Sequence, residues 1–430
     1  MHSFDLTLEN ISKIEGHTDL DIRVRKNKVE YVHLKISENK RFYTQAIRGK
    51  PAVNAPHVMC RICGTCSIAH LLCCIKAVEN AMGVVPSEQT VLLRKLAMYG
   101  LYLRDHALHC YFFSLPDVLG KDSILAFDEN DPKEHELLHQ CFEVKSAGNA
   151  LSTLVAGKAV HAPYPGVGGF TRIPKTEDVA AVIKKLKHCR KAVRNLINIF
   201  LPEKFDFTRK TEYVALSNDD FNFYTGPSLC ATHISCIPEK EFYSHLQRVV
   251  LPYSQASGYK FEGGTYMVGS LARINLHRQN LHKKTQKDAA KALKLFPSSN
   301  IFHNNLAQAI EMLHCIDESV DLLQQTTFKD EPHQVVAPKA GTGVGVVEAP
   351  RGTLYYLVET NAQGIITHGD IVVPTGQNQI NIEQDIKTLV EAHLDWKHDK
   401  LQFEIEKLIR AYDPCMSCAA HFLKLNMVVD

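Results

Sequence analysis

Three cysteines follow one another at intervals of three in the stretch VMCRICGTCSIAH, residues 58–70. Thiolates bind soft metal ions, and a four-iron cluster takes four of them, usually from such a run plus one further cysteine. In the bacterial ferredoxin pattern the further cysteine comes four residues after the third, but here that position holds His70. Any metal bound by these sulfurs therefore needs ligands from elsewhere in the chain.

A second Cys-x-x-Cys lies near the other end of the chain, in AYDPCMSCAAH, and supplies Cys415 and Cys418. The two pairs of a zinc ribbon lie only about 15–20 residues apart, so these pairs do not form one. If they share a metal with the first run, both ends of the fold are held together around it. On coordination chemistry alone, four sulfur ligands indicate zinc or an iron–sulfur cluster.

The residues around the two pairs are more specific. The first pair lies in Arg-x-Cys-Gly-x-Cys-x-x-x-His (61–70) and the second in Asp-Pro-Cys-x-x-Cys-x-x-His (413–421). With one such motif near each terminus, the chain resembles the large, catalytic subunit of the nickel–iron hydrogenases. Further motifs like those of that family follow in the expected order: KIEGH (13–17), RDHALH (104–109), VGGF (167–170), MVGSLARIN (267–275), NNLAQAIE (304–311), EAPRG (348–352) and VVPT (372–375). The resemblance covers essentially the whole chain and is closest to the cytosolic, bidirectional branch that includes the nicotinamide-linked sulfhydrogenases.

The resemblance implies reversible, heterolytic cleavage of dihydrogen to protons and electrons at a nickel–iron centre. Cys63 and Cys415 would be terminal ligands of nickel, while Cys66 and Cys418 would bridge nickel and iron. The iron would also carry carbon monoxide and cyanide. Dihydrogen offers no group for hydrogen bonding, so a buried metal with soft thiolate ligands must polarise it directly. The family does not require Cys60, which we expect to be a packed thiol.

The resemblance also assigns polar residues to the metal site. Arg351 would hold a fixed positive charge over the open metal position, and Asp105 and Asp413 would pair with it or orient ligands. Thr375 and the adjacent backbone at Pro374 would hydrogen-bond the cyanides. From composition alone, Arg351 is equally well a surface arginine at a turn, and the two aspartates a helix-face acid and a turn acid.

Two further residues are candidates for roles beside the sulfurs. Glu15 would be the first relay for a proton from the bridging thiolate of Cys418, which suits a carboxyl whose pKa is raised toward neutrality by burial. His70, one helical turn after Cys66, can donate a hydrogen bond to a cysteine sulfur. The alternatives are a carboxylate that caps a turn and a histidine packed in the core.

A second cation site is implied as well, and here the sequence departs from the family. His421 and the backbone carbonyl of Ile371 would bind Mg²⁺ with a glutamate, but Thr44 stands where that glutamate is expected. Threonine is a poorer Mg²⁺ ligand than a carboxylate, so the site would be water-filled, differently ligated or absent. His421 also matches the point at which the family's precursor is cleaved, so a maturation endopeptidase is expected to remove residues 422–430 after chaperones have inserted the metal.

These residues must be positioned by elements that hydrophobic periodicity predicts. Apolar residues alternate with charged ones over 20–36, which predicts a β-hairpin or meander. Apolar residues recur with helical spacing in three long segments: 176–200, about 299–323 and 382–409. The stretch GTGVGVVEAPRGTLYYLVE, residues 341–359, is typical of β-structure.

We therefore expect an α+β, predominantly helical chain with the nickel–iron hydrogenase large-subunit fold. An N-terminal antiparallel β meander would occupy residues 1–50. A helical catalytic body with both metal-binding motifs, a central bundle of long helices and smaller β-containing segments would follow over 51–421. The removable tail would be 422–430.

Bulk composition excludes several other classes of protein. The chain has 49 basic and 47 acidic residues, and so neutral a surface would hold neither nucleic acid nor an anionic membrane. No apolar run reaches the ~18 residues of a membrane span, and the first residues lack the pattern of a signal peptide. Thirteen cysteines without a secretion signal indicate a reducing compartment, where thiols bind metal or pack, so we expect a cytoplasmic protein.

The resemblance implies partners, and it leaves rival interpretations to test. Electrons would leave through an iron–sulfur small subunit docked near Cys63, Cys66 and Glu15, and then through flavin- and NAD(P)-binding diaphorase subunits. One rival is a hydrogen sensor with the same site. A second is a scaffold such as the complex I core subunit, which has lost the metal-binding cysteines. A third is a structural zinc or iron–sulfur protein.

Overall fold

The computed structural model describes residues 2–38, 42–202 and 205–420. About 49% of the chain is helical and 20% is strand, so the predicted helix-rich α+β architecture is confirmed. The strands in the described part are β1 (Phe4–Leu8), β2 (Thr18–Arg25), β3 (Lys28–Ile36), β4 (Pro165–Gly166), β5 (Gly169–Phe170), β6 (Glu212–Ser217), β7 (Ser228–Ala231), β8 (Ile237–Pro238), β9 (Leu246–Val250), β10 (Ser257–Phe261), β11 (Tyr266–Met267), β12 (Gly341–Ala349), β13 (Gly352–Thr360) and β14 (Ile366–Val372).

The helices lie mostly between the N-terminal strands and the β12–β14 sheet, and again after that sheet. Those in the described part are α1 (Tyr43–Ile47), α2 (Ala55–Met59), α3 (Ser67–Met82), α4 (Glu88–Ala107), α5 (Leu115–Val118), α6 (Pro132–Ala156), α7 (Thr176–Phe200), α8 (Ser270–His277), α9 (Lys283–Asp288), α10 (Ala290–Leu293), α11 (His303–Gln325), α12 (Pro374–Ala392), α13 (His398–Ala411) and α14 (Met416–Ala419). A π-helix, Leu108–Ser114, joins α4 to α5. Among the described residues, no helix combines the length and apolar character needed to cross a bilayer.

The N-terminal strands β1, β2 and β3 form an antiparallel meander in that order, as predicted. Leu20, Ile22 and Val24 of β2 are buried on one face, while the charged residues between them stay partly exposed. The buried face belongs to the same apolar cluster as the helices, because β3 packs on α12. The predicted domain boundaries after residues 50 and 421 stay predictions.

Four long helices form a closed bundle. Helix α4 packs on α6, α6 on α7, α7 on α11, and α11 back on α4. The stripe predicted for α7 faces this core, since Val179, Val182 and Leu186 are buried. Thr176 is the first residue of α7, and Lys175 occupies the N-cap position.

The helix predicted over 382–409 is two helices, α12 and α13, separated by a short turn. His393 ends α12 and its ring stacks on Trp396, with the centroids 3.7 Å apart. The backbone N–H groups of both residues bond to carbonyls three positions earlier and close the turn. Apolar residues keep their helical spacing across this turn, so periodicity alone predicts one helix instead of two.

The stretch 341–359 forms the predicted β-structure, a hairpin of β12 and β13 to which β14 is added. Helix α3 lies directly on β12, where three glycines alternate along the strand. A Cβ atom at Gly343 would lie 2.1 Å from the carbonyl oxygen of Ala77 in α3. Glycine therefore permits the close contact between this strand and the helix that begins right after Cys66.

One pair of cysteines departs from the expectation that thiols bind metal or pack. Cys230 and Cys236 form a disulfide where the chain turns back from β7 toward β8. The other cysteines of the described part are free and buried. The exposed turn brings the two sulfurs together, and nothing in the spacing of these residues distinguishes them from the packed thiols.

Candidate metal centre

The four predicted metal-binding cysteines converge on one point. Cys63 and Cys66 lie in the turn before α3, and Cys415 and Cys418 lie at the start and inside of α14. Their sulfur atoms all lie within 4.8 Å of one another, and all four residues are buried. Sγ of Cys63 is 3.5 Å from Cys415 Sγ, and Sγ of Cys66 is 3.1 Å from Cys418 Sγ.

The chemistry of this cluster fits a metal centre. Burial raises the pKa values of the Cys415 and Cys418 thiols, whereas hydrogen bonds from those thiols, that of Cys415 first, lower the pKa of Cys63. An apolar pocket can thus keep a single thiolate but not four adjacent ones without cations. Four buried sulfurs of this kind are a ligand set for metals such as nickel and iron, to which cysteine binds as the thiolate and not as the thiol.

Arg351 occupies the turn between β12 and β13 and is buried rather than on the surface. Its Nη1 donates to the carboxylate of Asp105, and its Nη2 lies 2.9 Å from Asp413 Oδ1. Burial lowers the pKa of Arg351, but the two carboxylates outweigh this and hold it well above its usual value. The predicted pairing of this arginine with both aspartates is therefore present, and the side chain carries a fixed positive charge.

Asp105 retains one acceptor that nothing in the described part of the chain satisfies. Its Oδ1 is buried without a hydrogen-bond partner there, while Oδ2 accepts from Arg351. Buried carboxylate oxygens are normally hydrogen-bonded. An unpaired oxygen beside the arginine is the kind of feature expected where a bound group or water belongs.

Glu15 contacts the cluster, but through a different cysteine from the one expected. Its Oε2 lies 3.0 Å from Cys415 Sγ and accepts from the backbone N–H of Ser417 at 3.1 Å. The backbones of Glu15 and Cys415 form a β-bridge, and this bridge sets the carboxylate beside Cys415 rather than beside Cys418. Burial first, and then negative charge on Cys63, raise the pKa of the Glu15 carboxyl.

His70 lies one turn into α3 and faces the sulfurs. Its Nε2 is 3.5 Å from Cys418 Sγ, and its Nδ1 is 2.7 Å from the hydroxyl of Tyr356. His70 follows Cys66 in the chain, but the sulfur that it contacts belongs to Cys418 of the C-terminal pair. The tyrosine hydroxyl helps to set the ring orientation, because it bonds to the nitrogen opposite the one that faces the sulfur.

Thr375 and Pro374 begin α12 and are buried. The Thr375 hydroxyl accepts a hydrogen bond from the backbone N–H of Cys415 at 2.9 Å. A hydroxyl also has one proton to donate, so Thr375 can offer a hydrogen bond to a group bound at the site.

The proposed second cation site is only partly within the described residues. Thr44 lies on α1, which packs on the strand β14 that contains Ile371. His421 lies outside the described residues. Over 2–38, 42–202 and 205–420, the four cysteines are the only group of three or more ligand side chains close enough to share an ion.

Cys60 is buried and its thiol bonds to the carbonyl of His57 at 3.3 Å, so it is a packed thiol.

Three buried polar residues at the site were not among the predicted ones. Arg104 donates to the carbonyl of Thr65, which lies between the first two ligand cysteines. Gln308 donates to Asp413 Oδ2 at 2.8 Å, and Tyr356 orients the histidine described above. Arg104 and Gln308 lie inside the motifs RDHALH and NNLAQAIE, and these motifs could have pointed to them. No motif in the sequence points to Tyr356.

Comparison with known proteins gives this arrangement a family. A family model described as nickel-dependent hydrogenase matches residues 41–141 and 239–421, and thus both cysteine motifs. The chain belongs to the nickel-dependent hydrogenase family. As a hydrogenase it is an oxidoreductase that acts on dihydrogen, and retention of all four cysteines separates it from a scaffold that has lost them.

Full-length relatives support the same family. The sequence is 29% identical over 426 residues to sulfhydrogenase 1 subunit alpha of Pyrococcus furiosus, covering 98% of each chain. It is 26% identical over 477 residues to the NAD-reducing hydrogenase HoxS subunit beta of Cupriavidus necator, covering 99% of this chain and 96% of that one. The fold matches a crystal structure of an NAD⁺-reducing [NiFe]-hydrogenase in the H₂-reduced state with a TM-score of 0.85 and 26% identity, covering 97% of this chain and 99% of that one.

Proposed function

We propose that this hydrogenase holds a nickel–iron centre on its four buried cysteines and cleaves dihydrogen heterolytically and reversibly. The observation that carries the proposal is the convergence of sulfurs from both ends of the chain within 4.8 Å. Cys66 and Cys418 would be the bridging pair, and Cys63 and Cys415 would be the terminal ligands. When bound, the centre supplies a Lewis acid that polarises dihydrogen, with carbon monoxide and cyanide on its iron.

Arg351 contributes a positive charge that neither moves nor titrates. Asp105 and Asp413 bind its guanidinium on both sides, so its direction is fixed before any ligand arrives. Such a preorganised charge stabilises negative charge that develops during a reaction, at no cost in reorganisation. Thr375, next to Pro374, would offer its hydroxyl proton to a cyanide on the iron.

Glu15 takes from Sγ of Cys415 the proton that this thiolate holds once dihydrogen has been cleaved. The 3.0 Å contact between these atoms is within proton-transfer distance, and the raised pKa of the carboxyl brings it nearer to that of its donor. His70 holds a hydrogen bond toward Cys418 Sγ and stabilises negative charge on that sulfur. The proton therefore leaves through the terminal sulfur rather than through the bridging one expected from the sequence.

Electrons leave through a partner protein that carries iron–sulfur clusters. In the described part of the chain, the four cysteines are the only cluster of side chains able to bind a metal. The relatives are named as a subunit alpha and a subunit beta, and one of them as NAD-reducing. We propose that this chain too belongs to a multi-subunit enzyme, with an iron–sulfur small subunit followed by flavin- and NAD(P)-binding subunits. Its cytoplasmic location stays a prediction of the sequence.

Metal analysis with infrared spectroscopy tests the central proposal. The purified complex is expected to contain nickel and iron in equal amounts in this subunit and to show the bands of iron-bound carbon monoxide and cyanide. Zinc in place of nickel, or nickel without those bands, would contradict the proposed centre. Reduction of NAD⁺ by dihydrogen with the isolated chain alone would contradict the need for partner subunits.

The C-terminal residues 422–430 are proposed to be removed during maturation, together with the insertion of nickel. Mass spectrometry of the active enzyme is expected to find His421 as the last residue. Full nickel content and activity in protein that retains Asp430 would contradict this. In the mature chain, His421 would then be available to the second cation with Ile371, where Thr44 leaves Mg²⁺ without its usual carboxylate.

A further inference from the structure

The turn that carries Arg351 is bonded to a second buried arginine, Arg273 of α8. Its Nη1 and Nη2 atoms donate to the last two carbonyl oxygens of the segment 348–350, at 3.2 and 3.0 Å. The hydroxyl of Tyr102 lies 2.9 Å from each of the first two carbonyl oxygens of the same segment. The backbone immediately before Arg351 is thus bonded at every carbonyl by two side chains from α8 and α4.

We propose that Arg273, assisted by Tyr102, is a positioning residue that sets the backbone from which Arg351 reaches the metal position. The inference rests on the function proposed above for Arg351. It goes further, because it assigns part of that function to a residue that acts only through the β12–β13 turn.

Arg273 is itself held in one orientation. Glu311 binds it through two parallel hydrogen bonds, from Nε at 2.6 Å and from Nη2 at 2.9 Å, and Glu348 accepts from Nη1 at 2.8 Å. The guanidinium carbon lies over the rings of Tyr102 and Phe223, 5.3 and 5.6 Å from their centroids. Only a planar guanidinium can bind two carboxylates and two carbonyls at once, so lysine cannot replace it.

Helix α4 connects this network with the side chain of Arg351. Tyr102, Asp105 and His106 lie on one face of the helix, at spacings of three and four residues. Tyr102 bonds to the turn, His106 Nε2 lies 3.0 Å from Glu311 Oε2, and Asp105 binds the guanidinium of Arg351. Helix α4 therefore contacts both the backbone that precedes Arg351 and the side chain of Arg351.

The substitution Arg273→Lys in the assembled enzyme tests the inference. It keeps the charge but removes the simultaneous bonds to residues 349 and 350. Misplacing a reacting group by about 1 Å can cost on the order of 100-fold in rate, so we expect kcat to fall at least about 10-fold. The KM for dihydrogen should change less, and the infrared bands of carbon monoxide and cyanide should shift because the charge of Arg351 has moved.

Arg94→Lys is the matched control. Arg94 is also fully buried and bonds to the carboxylate of Glu79 at 2.6 and 2.7 Å, but it contacts the carbonyl of Gly166 instead of the 348–350 segment. We expect it to lower the unfolding temperature as Arg273→Lys does, with the infrared bands unchanged. If both variants lose stability and neither shifts the bands or kcat, Arg273 is only structural and the inference is wrong.

Combination with Arg351→Lys separates this inference from the proposed function. If Arg273 acts through Arg351, the loss of kcat and the band shift caused by Arg273→Lys should be absent in the Arg351→Lys background. Additive losses overturn the inference alone. A wild-type kcat and spectrum for Arg351→Lys itself overturn the proposed role of Arg351 and the inference with it.

Tyr102→Phe keeps the experiment decisive if Arg273→Lys does not fold. This variant keeps the ring but removes the hydroxyl bonded to residues 348 and 349. It is expected to shift the infrared bands in the same direction as Arg273→Lys, and to have no effect when Arg351 is lysine. Unchanged bands and kcat in a folded Tyr102→Phe enzyme count against the proposal.

Discussion

At the scale of single residues, the β-bridge between Glu15 and Cys415 sets the carboxylate beside the sulfur that we propose passes on a proton. We expect Glu15→Gln to retain nickel and iron, because the amide oxygen can still accept from Ser417 N–H. An amide cannot carry the proton, so the turnover of dihydrogen should fall by about 10²–10⁴-fold. Metal content and turnover of the purified complex measure this. The exposed Glu9→Gln is the control and should match the wild type.

A second residue gives the stability of the protein a pH dependence of its own. Glu383 on α12 accepts from the backbone N–H of Leu34 and from Tyr253, and burial raises its pKa from 4.5 to about 7. Between pH 4.5 and 7 the Glu383 carboxyl is ionised in the unfolded chain but still protonated in the folded one. Rising pH therefore favours the unfolded chain, and the free energy of unfolding should decrease as the pH rises toward 7. The shift corresponds to about 3 kcal/mol. Denaturant unfolding between pH 5 and 8 is expected to show this slope in the wild type and to lack it in Glu383→Gln.

The predictability of the site also differs residue by residue. Cys63 and Cys415 could be assigned to one metal site from the sequence because their motifs are specific. Arg351 could be assigned to the same site because it lies in a third motif. The cysteine that Glu15 contacts could not be predicted, because it depends on which backbone segment pairs with residue 15. Tyr356 could not be predicted either, because its inward position on β13 depends on the register of the hairpin.

At the scale of elements, the glycines of β12 hold α3, and with it the first cysteine pair, against the β-hairpin. In Gly343→Ala the new Cβ would lie 2.1 Å from Ala77 O and 2.2 Å from Ala81 N, so strand and helix must separate. We expect the free energy of unfolding to fall by about 1–3 kcal/mol or more, and metal content to fall with it, since α3 begins next to Cys66. Thermal unfolding and metal analysis measure both.

Gly264→Ala is the control for that prediction. The nearest atom to a Cβ there is Phe261 O at 3.6 Å, an ordinary contact. This variant should unfold within a few tenths of a kcal/mol of the wild type. Equal stability of the two glycine variants would show that α3 can move away from β12 without cost.

Elements were predicted well where their periodicity is long and uniform. The stripe of α7 and the alternation of β2 both gave the correct element. The π-helix Leu108–Ser114 could not be read from a pattern, because it changes the period only locally at the end of α4. It matters to the site, since it turns His109 toward Gln308 at 2.6 Å, and Gln308 in turn binds Asp413.

At the scale of the whole molecule, the metal cluster closes the chain on itself. Residues 63–66 and 415–418 are distant in sequence. Apart from the sulfurs, the contacts that hold the second motif include Cys415 N–H to Thr375, and Met416 and Ser417 N–H to Glu15. Thiolate sites in small zinc domains contribute on the order of 10 kcal/mol of binding free energy. Metal binding should therefore add substantially to the stability of the C-terminal segment.

Hydrogen exchange of metal-free and metal-loaded protein tests this. In the metal-free protein, the backbone amides of α14 are expected to exchange about 10-fold faster or more, because four adjacent buried thiols keep no more than one charge and attract one another weakly. The amides of α11 in the central bundle should exchange equally slowly in both states. Cys418→Ser is expected to reproduce the metal-free behaviour, whereas Cys315→Ser, at a buried thiol outside the site, should not. Equal protection of α14 with and without metal would mean that the polypeptide alone brings the two motifs together, and that the sulfurs are preorganised before nickel and iron arrive.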